Sequence, residues 1–420
     1  MADKQIFAAL EAADHEVRLV VGEFFNTRFN ILKVERVACD GVSYNGVTNA
    51  EAVTAAIRKA LEACRKQLGA EIKKVILAIP SFGIRRYSLK STVDVEGIDP
   101  TVTPQDIRNA ISKASQTKID SRLALIQAVC VKYTVNGITS RRLPIGERCT
   151  SLTVDIDLLC VEKKFAYQLV RCVENAGISI MDVFLDIYAV GKEAALFEQA
   201  INHQVIILKM EREATTLGLL RQGRLTTGTI VPQGLGSLAA PLIENYGINS
   251  EEAIELVKYC ARLNQEVCSS NPVHIWAYKG ETRTISEQEL VDCIRERVNA
   301  WLAAIEKSCI PILQAGETAV MITGEGGETE GLSELLQKRL NAETKVYIPE
   351  TLGGRNAGLS AALGLFYAYQ DRLPITGYTD DSLDMDAFVR AVSYRDKTAD
   401  GTKEDTLTNK LKGIFLEGKK

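Results

Sequence analysis

The first forty residues alternate apolar and polar positions and show no helical spacing. QIFAALEAA, EVRLVVGEFF and RFNILKVERV each read as a strand, so residues 5–37 form a meander. Helical spacing then takes over: Val53, Ile57, Leu61, Cys64 and Leu68 share one face, and Thr48 with Glu51 has the spacing of a capping box. KKVILAIPS is a short apolar run ended by Pro80 and reads as a buried strand. From Ser81 to about Lys164 the pattern shifts to long alternating runs around one helix, which opens with Thr103 as cap, Pro104 in the first turn and Asp106 behind it. A helix ending at Gly177 follows, and a second hairpin begins at Val205. Ser237 to Ile310 is rich in helix, with Ser286 and Glu289 as a cap and Leu290, Ile294, Val298, Trp301, Leu302 and Ile305 directed inward. TAVMITGEGGETEGLSELLQKRL closes the pattern as strand, Gly-rich loop and helix. The fold class is α/β with several lobes.

Composition narrows the function. The chain has 420 residues, enough for two to four domains, with 46% hydrophobic and 25% charged residues, as in an ordinary soluble protein. A net charge of -4 and the lack of a basic stripe argue against nucleic acid. Ten cysteines lie scattered without C-x-x-C spacing and read as reduced and structural. Three histidines, far apart, signal neither a zinc site nor a triad, so no metal ligand and no catalytic residue is assigned. The N-terminal stretch lacks a signal-type core and no run reaches about 18 apolar residues, which points to the cytoplasm.

The turn of the second hairpin, KMERE, breaks the usual rule that such turns take glycine, asparagine or aspartate. Together with TVTPQDIRNAISKA, ALIQAVCVKYTVNGI and LTVDIDLLCVEKKFAYQLVRCVENAGISIMDVFLDIYAVGKEAAL, the order of parts resembles the FtsA family of bacterial cell-division proteins. That resemblance implies an actin-like (ribonuclease H-like) two-lobed fold with an inserted β-rich SHS2-type domain. It implies a first lobe of residues 1–80, 165–204 and 356–372, an inserted domain of 81–164, a second lobe of 205–250 and 315–355, and a helical subdomain of 251–314.

In this family two hairpins and a Gly-rich loop surround ATP and its magnesium. Here Glu11 stands where the family has an aspartate, Ala13 replaces the turn glycine, and Asp14 and His15 replace small residues. Lys209 falls where the second aspartate belongs, and Glu211, Arg212 and Glu213 replace three glycines. Thr215 and Gly234 complete the pocket positions on that side, and Gly324, Gly326 and Gly327 keep the adenosine-side loop, with Glu325 intruding. Side chains on a phosphate loop block the backbone N–H groups that would meet the anion, and added carboxylates repel it. No cofactor is therefore expected, and ATP with magnesium is doubtful. Two structural readings of the turn stay open: solvated charges facing away from the cleft, or an internal ion-pair clamp between the lobes.

Residues 373–405 mix acids, glycine and threonine and read as a flexible linker. TLTNKLKGIFLEGKK then places Leu407, Leu411, Ile414 and Phe415 on one face, with Lys410 and Lys412 among the polar positions, the pattern of a membrane-surface helix. The resemblance implies such an anchor, an inserted domain through which copies assemble, and a helical subdomain that binds the C-terminal peptide of the tubulin-like FtsZ. Arg297 matches a position on the peptide-binding helix, whereas Ala300 stands where an acidic residue is common. The expected role is an adaptor at the cytoplasmic face of the division site, tethering FtsZ filaments and recruiting later division proteins. A nucleotide-gated ATPase, with Glu11 serving the metal and Lys209 the phosphate, is one rival. A pilus-assembly-type scaffold of the same fold, which would not need the terminal anchor, is another.

Overall fold

The computed structural model describes residues 4–26, 28–377 and 381–391. Two five-stranded sheets of identical topology organise it. In the first, the antiparallel meander Lys4–Ala12, Glu16–Phe25 and Arg28–Ala38 is extended beside its first strand by parallel strands Lys74–Ile79 and Ser179–Leu185. In the second, the meander Gln204–Met210, Thr215–Arg221 and Arg224–Val231 is extended by parallel Thr318–Thr323 and Thr344–Val346. The near-continuous burial of Ile6–Leu10 and Val205–Leu208 follows from helices packing on these sheets.

The lobes differ in what interrupts them. The first receives a four-stranded antiparallel sheet, Arg85–Asp94, Ser151–Glu162, Leu123–Val135 and Ile138–Ser140, carrying one helix, Pro104–Ser115. The second receives helices Leu235–Tyr246, Ser250–Cys260 and Glu287–Leu313 and a small hairpin. There Trp301, fully buried, donates from its indole to Thr215 Oγ1 at 2.9 Å and ties the helices to the second hairpin. Helices Asp186–Glu193 and Ser360–Gln370 cross beside the first sheet. Their backbones meet so closely that a Cβ at Gly364 would lie 1.9 Å from the Ala189 carbonyl oxygen, so only glycine fits.

The caps at Thr103–Asp106 and Ser286–Glu289 form reciprocally as the spacing predicts. The first long helix differs: Asn49, not Thr48, accepts from Ala52, and the helix runs Ala50–Leu68. Two runs of the stretch expected as flexible linker, 373–377 and 381–391, pack onto the body of the protein. Leu373–Thr376 is a helix, and Ser382 bonds the central strand of the first sheet, donating its N–H to the Ile6 carbonyl and accepting at Oγ from Ala8 N at 2.9 Å. Leu383 is buried behind it and Lys73 pairs with Asp384 at 2.9 Å. The membrane-anchor positions Leu407, Lys410, Leu411, Lys412, Ile414 and Phe415 lie outside the described residues.

Candidate functional site: the cleft between the lobes

Each lobe presents the turn of its first hairpin to the cleft, and the two turns touch. The turn at Met210–Thr215 closes by Glu211 N–H to Ala214 O, 3.0 Å, and none of its residues has positive φ. This wider turn needs no glycine, which is how it accommodates Glu211, Arg212 and Glu213. Glycine is required opposite: a Cβ at Gly234 would lie 2.2 Å from the Glu211 carbonyl oxygen.

The turn charges do not face solvent, with one exception. Lys209, 5% exposed, places Nζ between Glu11 and Asp186, the latter at 3.0 Å, with Glu211 at 3.7 Å. Arg18, wholly buried on strand Glu16–Phe25, grips Glu211 with both terminal nitrogens at 2.9 and 2.7 Å, reaches Glu11 at 3.3 Å and bonds Glu16 through Nε. Arg36 backs Glu16 at 2.7 Å. Arg212 joins Glu325 of the Gly-rich loop at 2.8 Å to Glu251 at the start of helix Ser250–Cys260. Glu213 alone is exposed. The reading of these residues as solvated turn charges is thus corrected for all but Glu213, because their partners sit on the facing lobe and in the loops lining the cleft.

Asp14 completes the contact. One carboxylate oxygen accepts the Glu213 N–H at 2.7 Å, the other the Arg212 N–H at 3.3 Å and His15 Nδ1 at 2.8 Å. His15 Nε2 lies 2.9 Å from Glu325 and 3.4 Å from Glu16. Burial opposes charge on this imidazole, yet bonds to Asp14, Glu16 and Glu325 outweigh it and raise the ring to about 10. Burial likewise disfavours charge on Lys209 and Arg18, and the carboxylates around each win, holding both above their ordinary values. For Glu16 and Glu325 burial is again the opposing influence, while His15 and the neighbouring arginines pull both well below the carboxylate range.

The space left is about 60 Å³, lined in part by Glu11, Ala13, Asp14, Lys209 and Glu211. Small-molecule pockets usually measure roughly 300–1,000 Å³. Thr215 is not in this space: its hydroxyl bonds Gln233 O and Trp301, and Thr216 lines the cleft instead. Gly324 and Gly326 lie tight against Met210, and Gly327 stands beside Ile322. Asp14, His15 and Glu211 bring one nitrogen and two carboxylates within 4.8 Å of one another, with the imidazole held protonated. Arg297 and Ala300 are exposed on helix Glu287–Leu313. Arg18, Glu16, Asp186 and Glu251 escape sequence reasoning; the one signal is a run of charges, Glu16, Arg18 and Glu23, inside an otherwise apolar strand.

Two lobes of like topology around a cleft, with crossing helices behind, make this an actin-like protein. Among solved structures it is similar to the PilM–PilN type IV pilus biogenesis complex, with a TM-score of 0.57, 13% identity and coverage of 86% of this chain and 97% of that one. It is also similar to MreB5 of Spiroplasma citri bound to ADP, with a TM-score of 0.51, 10% identity and coverage of 89% and 99%. The model of the SHS2 domain inserted in FtsA matches residues 83–160. Cell division protein FtsA of Bacillus subtilis is 23% identical over 87% of this chain and 83% of its own length, and that of Enterococcus hirae 21% over 99% of each. By sequence and fold the chain groups with FtsA, as an actin-like cell-division protein carrying that family's inserted domain. Among the described residues no helix is long and apolar enough to cross a membrane.

Proposed function

We propose that this chain is a division adaptor that ties FtsZ filaments to the membrane surface and brings later division proteins to them, its lobes held by its own ion pairs in place of nucleotide and magnesium. One observation carries the reading: the buried network joining Arg18, Glu11 and Asp14 of the first lobe to Lys209, Glu211 and the turn N–H groups of the second. The Lys209 ammonium stands among carboxylates as a bound cation would, and the Asp14 carboxylate takes two backbone N–H groups as a phosphate oxygen would. The donors present do not suit magnesium, because Lys209 already occupies Glu11 and Asp186 and His15 offers no free lone pair. They do not suit a polyphosphate either. Even with Arg36 counted, the positive residues His15, Arg18, Lys209 and Arg212 fall one short of Glu11, Asp14, Glu16, Asp186, Glu211 and Glu325.

Calorimetric titration of the full chain with ATP and ADP, with and without magnesium, tests this. No magnesium-dependent heat at millimolar nucleotide is expected, and micromolar magnesium-dependent binding sinks the reading. Membrane attachment rests on the basic amphipathic pattern of residues 406–420 and on the likeness to FtsA. Co-sedimentation with anionic vesicles should be lost on removing those residues, since one short helix is the main surface signal. The exposed Arg297 is the proposed contact for the FtsZ peptide, with altered affinity where Ala300 offers no acid, and Arg297→Glu should abolish peptide binding in a fluorescence anisotropy titration. Many anchored copies, assembling through the inserted domain, would give the avidity that one helix lacks.

A further inference from the structure

A second site lies at the root of the inserted domain. A cavity of about 410 Å³ opens between that domain and the crossing helices, and a chamber of about 260 Å³ adjoins it. They share Val129, Cys130, Arg141, Tyr188 and Lys192. Together they reach the size range of pockets that hold small molecules, roughly 300–1,000 Å³.

The lining is cationic and incompletely neutralised. Among the described residues Arg108 bonds the Gln105 side-chain oxygen, at 3.1 and 2.7 Å, and the Ile375 carbonyl, at 2.5 Å. Arg141 reaches the Gln222 carbonyl at 2.6 Å. Neither has an acidic partner among the described residues. Lys192 pairs with Asp371 at 2.6 Å beneath the Phe197 ring, and Arg372 pairs with Asp182 at 2.8 Å. Arg224, on the chamber wall, is satisfied by Asp157 at 3.0 Å. Tyr188 is only 8% exposed, yet it lines both spaces and its hydroxyl makes no hydrogen bond among the described residues.

We propose that this cavity binds a small molecule bearing a phosphate or carboxylate group, held by Arg108 and Arg141 with the Tyr188 hydroxyl as a third donor. Carbonyl oxygens satisfy guanidinium N–H groups but not their charge, so an anion gains a charge-assisted contact that the described residues leave unmade. Arg141 belongs to the inserted domain, whereas Gln222 belongs to the second lobe, so a bound anion sits against the contact between the two. In a chain whose interlobe cleft is filled by its own side chains, this junction is where a small molecule can act on the arrangement of the domains.

Isothermal titration of the full chain with inorganic pyrophosphate and with citrate, at low ionic strength and without magnesium, tests the site. The two probes separate a phosphate ligand from a carboxylate one. Saturable binding of either is expected, weakened about tenfold or more in Arg108→Gln/Arg141→Gln, as loss of charge-assisted bonds predicts. Tyr188→Phe should weaken it a few-fold, and Arg122→Gln, at an exposed arginine elsewhere, should leave it unchanged. Circular dichroism and thermal melts establish that each variant is folded; the exposed Arg141 and half-buried Arg108 leave no core cavity when shortened. Equal binding in all variants, or none by the wild type at millimolar probe, overturns the proposal. Binding here is independent of magnesium, so it is distinguishable from nucleotide entering the interlobe cleft.

Discussion

The interlobe cleft and the cavity at the root of the inserted domain are both lined by arginine, lysine and acid, but their charges are settled differently. In the cleft every cation meets carboxylates: Arg18 touches Glu11, Glu16 and Glu211, and Lys209 touches Glu11, Asp186 and Glu211. In the cavity Arg108 and Arg141 end on neutral carbonyls. A site filled by its own ions is strongly destabilised by removal of one partner and indifferent to added anions; an unneutralised site is the reverse. This contrast is what the two proposals rest on, the cleft holding the lobes and the cavity exchanging anions with solution.

Removing the most buried charge should separate the two most clearly. Arg18→Met takes from Glu211, Glu16 and Glu11 the one cation they share, leaving Lys209 for Glu11 and Glu211 and Arg36 for Glu16, and the expected cost is about 3–5 kcal/mol. Arg141→Met, at an exposed position, should change stability by no more than about 0.5 kcal/mol. Urea unfolding followed by fluorescence compares them. Near-equal costs would show that Arg18 does not organise the cleft.

The cleft should also give the protein an alkaline limb of instability. His15 titrates at 6.5 when unprotected and near 10 in the folded chain, so its contribution is complete below pH 6.5 and drains away as pH rises toward 10. Glu16 and Glu325 shift the other way: their contribution is present above about pH 4.5 and is lost as acid protonates them. Melting temperature should therefore peak between these limits. His15→Gln should flatten the alkaline side, and an unchanged profile in that variant would remove His15 from the network.

A smaller effect measures the pair across the lobes. Lys209→Met alone takes the cation from Asp186 and leaves Glu11 with Arg18 only, and Glu11→Gln alone leaves Lys209 with Asp186 and Glu211. The double variant removes the pair together and should cost less than the sum by about 1–3 kcal/mol. Additive costs would mean that the contact contributes nothing across the cleft.

How much of this was legible in the chain divides along the range of the interactions. Strands such as EVRLVVGEFF and caps such as Thr103–Asp106 are specified within a few residues, so spacing reveals them. Thr48 misleads because Asn49 beside it is an equally good cap, and spacing alone does not choose between neighbours. Glu11 and Lys209 could be located by resemblance, but their partnership joins residues 198 apart and depends on how two lobes meet. Arg18 is harder still. Alternation makes it look like the solvent side of a strand, whereas the sheet is covered at that point by the facing turn. The ordered run 381–391 escaped because its anchor, Ser382, has no periodicity to betray it and works through bonds to Ile6 and Ala8.

The mildest test uses two glutamates of one turn. Glu211 and Glu213 are separated by a single residue in KMERE, yet Glu211 is buried against Arg18 while Glu213 faces solvent near Asp14. Partial burial and the Asp14 charge raise the Glu213 carboxyl above its ordinary value, so its ionised form is slightly unwelcome. Its backbone N–H, not its side chain, holds Asp14, and that bond survives substitution. Glu213→Gln should consequently leave stability unchanged or raise it by up to about 0.5 kcal/mol, whereas Glu211→Gln weakens the grip of Arg18 and should destabilise. Melting curves of the two variants at neutral pH make the comparison directly. If Glu213→Gln proved the more damaging, the charge of this turn would be acting outward toward a partner, and the clamp within the cleft would have to be abandoned as the reason the turn carries no glycine.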